Sequence, residues 1–355
     1  MDTYQEVLFD EMAGKDGNLG IITLNRPEAL NALNHTMIRA MHAKLQSWAN
    51  AVDIKAVVIR AVEGRAFCAG GDLRLTYERA TAHDPDMANF FREEYQLNRF
   101  IFHYPKPYIA LLDGITMGGG VGISIHGSHR VATDRLLFAM PETGIGFFPD
   151  VGGTYFLPRL SGKIGYYLGL TGARLNADES VAIGLMQQKI PQHKLPELVN
   201  TLARESLGED ARATVTQILN EFATAIQPSN LLAQETALNA CFSAHTMEEI
   251  LIALQNSDNE MCKEAVTTLA KKSPASLKIT LKALQDGEGL NFDACMRQEY
   301  RLVCHFLLGH DFIEGIRALI IDKDQKPQWR PDSLQEVSDT EVEKYFAPLT
   351  EELTE

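Results

Sequence analysis

Two short stretches of the chain carry residues that could do chemistry. The first is a run of three glycines, Gly118 to Gly120, and the second contains two carboxylates, Glu142 and Asp150, each directly after a proline. Glycine lets a ligand approach the backbone, and the free N–H groups at the start of a helix carry positive partial charge. Such donors stabilise a developing oxyanion by roughly 2.7–4 kcal/mol each. A nearby carboxylate can attack a carbonyl carbon or accept a proton from water.

A second glycine turn, Gly70-Gly71, follows another strand-like segment. If the two turns meet at one point, each of them offers a backbone N–H group to the same carbonyl oxygen. Glycine content alone is equally typical of two ordinary strand-to-helix turns. The glycines by themselves leave both interpretations open.

Better-known glycine-containing motifs do not fit the sequence around these glycines. A dinucleotide-binding fingerprint would need glycine in place of Ile123, a nucleophile elbow would need glycine in place of His126, and no phosphate-binding loop occurs in the chain. His126 and His129 have side chains that bind metals, but two histidines without a third ligand are more typical of ordinary helix residues. We therefore predict no metal site.

The surrounding sequence predicts the elements that would position these residues. Asp16-Gly17 favours a hairpin turn, and Asn34 is a typical N-cap for a helix with apolar residues at helical spacing. Strands are predicted over residues 7–11, 19–24, 56–62 and 108–112. The last two of these strands each lead toward one of the glycine turns.

Beyond residue 195 the pattern becomes helical, with apolar residues three and four positions apart. Helices are predicted over residues 247–254, 262–270, 274–284 and 292–308. The acidic tail, residues 332–355, is expected to lie on the surface.

Composition narrows the functional class. With 355 residues and 45% hydrophobic content, the chain can bury a large core, and it has no apolar run of roughly 18 residues that would span a membrane. A net charge of −14 argues against nucleic acid as a partner. Five cysteines without a CxxC pair favour reduced thiols, and the acidic N-terminal stretch resembles neither a signal nor a transit peptide. We expect a cytoplasmic protein.

Five ordered segments resemble the crotonase (enoyl-CoA hydratase/isomerase) superfamily. They read NRPEALNAL from Asn25, AFCAGGD from Ala66, GITMGGGVG from Gly114, PETGIGFFPDVGG from Pro141 and FIEGIRALIIDKD from Phe312. The resemblance implies an α/β fold: a crotonase-like core of repeated ββα units over residues 1–200, which binds acyl-CoA, followed by a helical region over residues 201–355.

Further segments are similar to the 3-hydroxyisobutyryl-CoA hydrolases. They read FFREEY from Phe90, FPDVGG from Phe148, SPASLKITL from Ser273 and HDFIEGIRALIIDKDQKPQW from His310. That family hydrolyses an acyl-CoA thioester. The resemblance implies hydrolysis of a short 3-hydroxyacyl-CoA in valine degradation, with coenzyme A as part of the substrate and no metal or redox cofactor.

The resemblance also implies roles for single residues. The backbone N–H groups of Gly71 and Gly119 would form an oxyanion hole, and Glu142 would be the catalytic carboxylate, as nucleophile or as general base. Asp150 would be a second acid at the acyl end, and Glu94 would contact the substrate. The residues alone favour plainer roles for the last two, since Asp150 could cap the next helix and Glu94 lies in a charged stretch that is typical of a solvated surface.

Coenzyme A would be bound, by resemblance, through Arg26, Ala29, Ala69 and Lys323. Other basic side chains are more typical of solvated helix faces, although a subset could meet the coenzyme A phosphates. These are Arg65, Lys271, Lys272, Lys278 and Lys326.

One departure from the hydratases bears on the reaction. Hydratases place a first catalytic glutamate where this chain has Gly122, and a simple hydratase is thereby disfavoured. Two alternatives stay open, another crotonase reaction such as enoyl-CoA hydration or isomerisation, and a non-catalytic acyl-CoA binding subunit.

Crotonases commonly associate through C-terminal helices, so a homo-oligomer is one expectation and a helical region folded back on its own core is the other.

Overall fold

The computed structural model describes residues 5–354 and confirms the α/β fold class. The chain divides into two compact units. The first unit comprises the residues up to Gly71, Leu97–Phe138 and Leu175–Ser229. The second unit comprises Asp72–Gln96, Ala139–Arg174 and the described residues from Asn230 onward.

A six-stranded sheet organises the first unit. Its strands, in spatial order, are β1 (Val7–Ala13), β2 (Asn18–Leu24), β3 (Ile54–Ala61), β5 (Tyr108–Leu112), β7 (His129–Ala132) and β9 (Gln188–Lys189). The first two strands pair antiparallel, with Val7 opposite Leu24 and Ala13 opposite Asn18, and this pairing confirms the predicted hairpin. Each later neighbour pairs in parallel, and the central strands β2 and β5 read as nearly continuous apolar, buried runs, as is typical of strands covered on both faces.

A smaller sheet carries the two glycine turns. Its strands, in order, are β4 (Ala66–Cys68), β6 (Ile115–Met117) and β8 (Leu137–Ala139). Strands β4 and β6 run parallel, with Ala66 opposite Ile115. Gly70-Gly71 follows β4 and Gly118 follows β6, and parallel neighbours end at the same edge of a sheet. The two turns therefore leave from one edge.

The core of the first unit lies against the large sheet. Its buried members come from alternate positions of the strands and from the apolar stripes of two helices beyond the last strand, for example Val58, Leu111, Leu198 and Ile218. The helices of this unit are α1 (His35–Asn50), α4 (Gly119–Gly122), α7 (Ala177–Ala182), α8 (Leu195–Arg204) and α9 (Ala211–Phe222). Asn34 caps α1 through the backbone N–H of Met37, as predicted. The boundary near residue 200 stays a prediction.

The second unit is helical. Its helices are α2 (Leu73–Thr81), α5 (Gly153–Phe156), α6 (Ile164–Thr171), α10 (Asn230–Ala233), α11 (Glu235–Phe242), α12 (Met247–Gln255), α13 (Glu260–Leu269), α14 (Pro274–Gly289), α15 (Phe292–Leu308), α16 (Asp311–Ile316) and α17 (Asp339–Tyr345). Helix α3 (Ala88–Phe102) contributes its first part to this unit and its end to the first unit. All four predicted C-terminal helices are present. None of the described helices is both long and apolar enough to cross a bilayer.

The acidic tail differs from its prediction. It includes α17 and buries Leu334, Val337, Val342 and Leu353. Apolar residues at these spacings give the tail a packed face, so it belongs to the second unit and does not merely lie on its surface.

Truncating a buried strand residue tests this account of the core. Leu111, which is 1% exposed in β5, is expected to destabilise the protein by about 2–5 kcal/mol when changed to alanine, because the cavity cannot be refilled. Urea unfolding would measure the change. The exposed control Val52→Ala, at 86% exposure, should stay within about 0.5 kcal/mol of the native protein. Equal effects of the two variants would contradict the assigned core.

Candidate active site

The two glycine turns lie side by side in the first unit. Gly70 has φ +116°, and a side-chain carbon built there would lie 3.6 Å from the Met117 carbonyl oxygen and 3.8 Å from the backbone nitrogen of Gly119. The two turns therefore meet, as an oxyanion hole would require. Their use as an oxyanion hole stays a prediction.

Close backbone packing fixes the second turn. A side-chain carbon on Gly120 would lie 2.2 Å from the Cys68 carbonyl oxygen, so only glycine lets α4 start against β4. Cys68 is buried there as a free thiol. The N–H of Leu33 donates to the carbonyl of Gly70 at 2.8 Å, which holds the first turn. Within the described residues, the N–H groups of Gly71 and Gly119 donate no backbone hydrogen bond.

Three of the four predicted coenzyme A residues lie in the first unit. Arg26 is held by an ion pair from its Nε to Glu6 at 3.1 Å and by a bond from its NH1 to the Ala32 carbonyl at 2.9 Å. Ala29 and Ala69 are half-buried. Lys323 lies in the second unit, exposed, with φ +57°.

His129 has protein partners at both ring nitrogens. Its Nδ1 lies 2.8 Å from the Ser128 hydroxyl, and its Nε2 lies 3.0 Å from the Thr216 hydroxyl. Burial lowers the pKa of this imidazole. These contacts are those of an ordinary buried histidine. In the part of the chain that the structure describes, no group of three histidine, cysteine or acidic side chains is placed to hold a metal ion.

Glu142 opens a single 3₁₀ turn, Glu142–Ile145, in the second unit. Its side chain is buried, and its Oε2 has no hydrogen-bond partner among the described residues. Burial raises the pKa of Glu142 well above its ordinary value, and the charge of Asp150 raises it further. A bond from its own backbone N–H and the charge of Lys272 act in the opposite direction. A buried oxygen without a partner is costly, and it is typical of a group that meets a ligand.

Asp150 is buried beside Glu142 and accepts a hydrogen bond from the Tyr95 hydroxyl at 2.7 Å. Burial raises its pKa to about 7, although the bonds from Tyr95 and from its own backbone lower it. The suggestion that Asp150 merely caps the next helix is wrong. Helix α5 begins after Gly152, which makes no side-chain cap, and the cap comes from elsewhere in the chain.

Glu299 supplies that cap, although no motif in the sequence pointed to this residue. Its carboxylate accepts bonds from the backbone N–H groups of Gly152 at 2.7 Å and Thr154 at 3.0 Å, and from the Thr154 hydroxyl at 2.6 Å. Burial raises the pKa of Glu299 to about 8. A signal was present, because Glu299 lies four residues from both Cys295 and Val303 and so falls within the apolar stripe of α15.

Glu94 is also buried, with 2% exposure, and the solvated surface that its charged neighbours favoured is wrong. Its Oε1 has no hydrogen-bond partner, and burial together with the charge of Asp150 raises its pKa well above the ordinary value. Together with Glu142, Asp150 and Glu299 it forms a carboxyl cluster in the second unit, with Asp150 at the centre. Such a cluster can hold and release protons near neutral pH.

Known proteins are similar to this chain over most of its length. A family model described as enoyl-CoA hydratase/isomerase matches residues 19–346. The chain is 43% identical over 351 residues to a mitochondrial 3-hydroxyisobutyryl-CoA hydrolase of Homo sapiens, with 98% of this chain and 90% of that protein covered.

Two solved structures share nearly the whole chain. One, a carnitinyl-CoA dehydratase from Mycobacterium thermoresistibile, is 38% identical with a TM-score of 0.90 and 99% of each chain covered. The other, an enoyl-CoA hydratase from Rhodobacter sphaeroides, is 35% identical with a TM-score of 0.88, covering 99% of this chain and 100% of its own.

The buried carboxyls predict a pH-dependent stability. The folded pKa of Asp150, about 7, lies above the ordinary value of 3.8, so its contribution to stability is present below the lower value and is lost as pH rises through the higher one. Asp150→Asn is expected to be more stable than the native protein by about 2–4 kcal/mol at pH 8, and the difference should shrink as pH falls toward 4. Urea unfolding at both pH values measures it.

The exposed residue Asp53 supplies the control. Asp53→Asn should change stability equally little at both pH values. A gain for Asp150→Asn that does not depend on pH would mean that this carboxyl is not the titrating group.

Proposed function

The chain belongs to the enoyl-CoA hydratase/isomerase family, and on that premise we propose that it hydrolyses the thioester of 3-hydroxyisobutyryl-CoA to the free acid and coenzyme A. The observation that carries the proposal is Glu142, a buried carboxyl with an unpartnered oxygen beside a second acid, Asp150. Similarity over nearly the whole chain to a protein named for this activity supports the substrate.

The two glycine turns would act on the thioester oxygen. When the carbonyl carbon is attacked, negative charge moves onto this oxygen, and the N–H groups of Gly71 and Gly119 can take it up. Two observations support this role for the N–H groups. The turns lie next to each other, and neither N–H has another backbone acceptor among the described residues. The turns are fixed by close packing, so little reorganisation is needed during the reaction.

Glu142 would supply the attacking group by one of two routes. It attacks the carbonyl carbon itself, which breaks the C–S bond and leaves a mixed anhydride that water then opens, or it takes a proton from water as the water attacks. Its raised pKa makes it a stronger proton acceptor than an exposed glutamate once it is ionised. Both routes end in a carboxylic acid and a free thiol.

Asp150 would provide or receive the second proton. With a pKa of about 7, it holds a proton over part of the neutral range and can deliver it to the departing thiolate sulfur. The same carboxyl can instead bind the 3-hydroxyl group or orient water. Glu94, buried and partly unpartnered, would contact the acyl group. The Glu299 carboxylate holds the backbone directly after Asp150, and through it the position of Asp150.

Coenzyme A would be held by Arg26, Ala29, Ala69 and Lys323, as the family resemblance implies. The proposed metabolic place is valine degradation, without a metal or redox cofactor. A cytoplasmic location and association into homo-oligomers stay predictions from the sequence.

Enoyl-CoA hydration is the second candidate, because the two similar solved structures carry the names of a hydratase and a dehydratase. Glycine at position 122, where hydratases place a first glutamate, leaves only Glu142 of the usual acid pair. This substitution disfavours hydration and is the reason that hydrolysis is proposed first.

Glu142→Gln tests the proposal directly. Release of thiol from 3-hydroxyisobutyryl-CoA is expected to fall by about 10²–10⁴-fold in kcat, because the amide can neither attack nor accept a proton. A thiol reagent follows the release, and crotonyl-CoA serves beside it as the hydratase substrate. Binding of coenzyme A should stay close to native and the unfolding midpoint should not fall, while every property of the exposed control Glu221→Gln should stay close to native.

The outcomes separate the candidates. Thiol release that survives in Glu142→Gln would remove Glu142 from the mechanism. Crotonyl-CoA hydration by a native protein that releases no thiol would favour the hydratase. Binding of coenzyme A without turnover of either substrate would favour a non-catalytic subunit.

A separate variant tests the glycine turns. Gly120→Ala is expected to push the turn away from the Cys68 carbonyl, which lies 2.2 Å from the added carbon, and to lower kcat for thiol release by about 10²-fold through displacement of the Gly119 N–H. The control Gly64→Ala places its added carbon no closer than 3.8 Å to any neighbour and should keep native activity. Native kcat in Gly120→Ala would contradict the oxyanion role.

A further inference from the structure

Lys272 lies directly before helix α14 in the second unit, in a segment tied to the Glu142 region. Ser273 caps α14 by accepting the N–H of Ser276, and it donates its own hydroxyl to Asp311 at 2.6 Å. The Ser276 hydroxyl donates to the carbonyl oxygen of Phe147. These bonds fix where the chain enters α14, and they fix Lys272 next to the stretch that carries the carboxylates.

Gly144 shows where the ammonium group sits. A side-chain carbon built on Gly144 would lie 3.1 Å from the Nζ of Lys272, which is its nearest neighbour among the described residues outside the turn. Gly144 does not have a positive φ, so the backbone does not require glycine at this position. Its lack of a side chain instead leaves room for the Lys272 ammonium over the turn that begins with Glu142.

The ammonium is not part of an ion pair with any described residue, since no carboxylate among them lies within 4 Å of Nζ. By contrast, Lys278 on α14 pairs with Glu248 at 2.6 Å. Burial lowers the pKa of Lys272 to about 8, although the charge of Glu142 opposes this change. Lys272 is therefore not on the solvated helix face that was expected for the lysines of this region. A partly buried cation near an acid, but not paired with it, acts through its field.

We propose that Lys272 is a positioning residue of the active site, whose ammonium, admitted by glycine at position 144, is the counter-charge that favours ionisation of Glu142. The inference rests on the proposed role of Glu142 in thioester hydrolysis. Asp150 opposes ionisation of Glu142, and the Glu142 backbone N–H and Lys272 favour it. Among the charged groups of the described residues that act on Glu142, Lys272 is the cation.

Lys272→Met tests the proposal through the pH profile of thiol release. Without the counter-charge Glu142 ionises at higher pH, so kcat/KM at pH 6 should fall about 10-fold relative to the native enzyme. The two profiles should converge above pH 8, where native Lys272 itself loses its proton. Gly144→Ala, which displaces the ammonium without removing it, should move the acidic limb in the same direction by less. Lys263→Met, at an exposed lysine on α13, should leave the profile unchanged.

A second readout does not depend on turnover. Infrared difference spectra between each protein and its Glu142→Gln counterpart follow ionisation of the Glu142 carboxyl as pH is raised. In Lys272→Met this ionisation should occur at higher pH than in the native background. If no protein releases thiol, the proposed function fails while the infrared titration still tests Lys272. An unshifted titration, or an equal loss of activity at every pH, would overturn the proposal.

Discussion

The second unit depends on burying four carboxyl groups, Glu94, Glu142, Asp150 and Glu299, close to one another. Removing a charged carboxylate from water is costly, and each further charge in the same region raises that cost. The structure offsets this cost differently for each of the four carboxyl groups. Glu299 accepts three protein hydrogen bonds, and Asp150 accepts one from Tyr95. Glu94 and Glu142 each keep one oxygen without a hydrogen-bond partner among the described residues. Protonation lowers the cost of burying them and, for Glu142, a nearby cation lowers it as well.

This constraint explains why the turn at Glu142 is held so closely. A side-chain carbon on Gly146 would lie 2.6 Å from the Asp311 carbonyl oxygen, and one on Gly315 would lie 2.3 Å from the Ile145 carbonyl oxygen. Next to the turn, Phe147 stacks on Phe312 with ring centroids 4.2 Å apart. Residues far apart in sequence therefore contact the turn at backbone distance. A turn packed in this way holds its carboxyl group in a defined position.

The first unit places uncharged hydrogen-bond donors, the backbone N–H groups of the two glycine turns. Parallel pairing of β4 with β6 brings two strand ends to one edge, and glycine at both ends lets the turns approach each other. The N–H groups are oriented by the backbone, which needs no side-chain charge. In the proposed reaction these N–H groups would stabilise charge on the thioester oxygen.

Much of the fold follows from local sequence. The hairpin at Asp16-Gly17, the Asn34 cap and the apolar spacing of α12 to α15 are short-range signals, and the structure has these elements where they predict them. The family motifs likewise pointed to Glu142, Asp150 and the two glycine turns, because these residues stand at fixed positions within short segments.

Tertiary structure alone decided the electrostatics of the site. The charged segment around Glu94 and the lysines before α14 have the composition of solvated surface, yet Glu94 is buried and Lys272 lies over Gly144. Glu299 caps a helix that begins almost 150 residues earlier in the chain. The physical reason is that sequence sets which groups can ionise and which faces are apolar, whereas a pKa depends on burial and on neighbouring charges, which arise only when distant segments pack together.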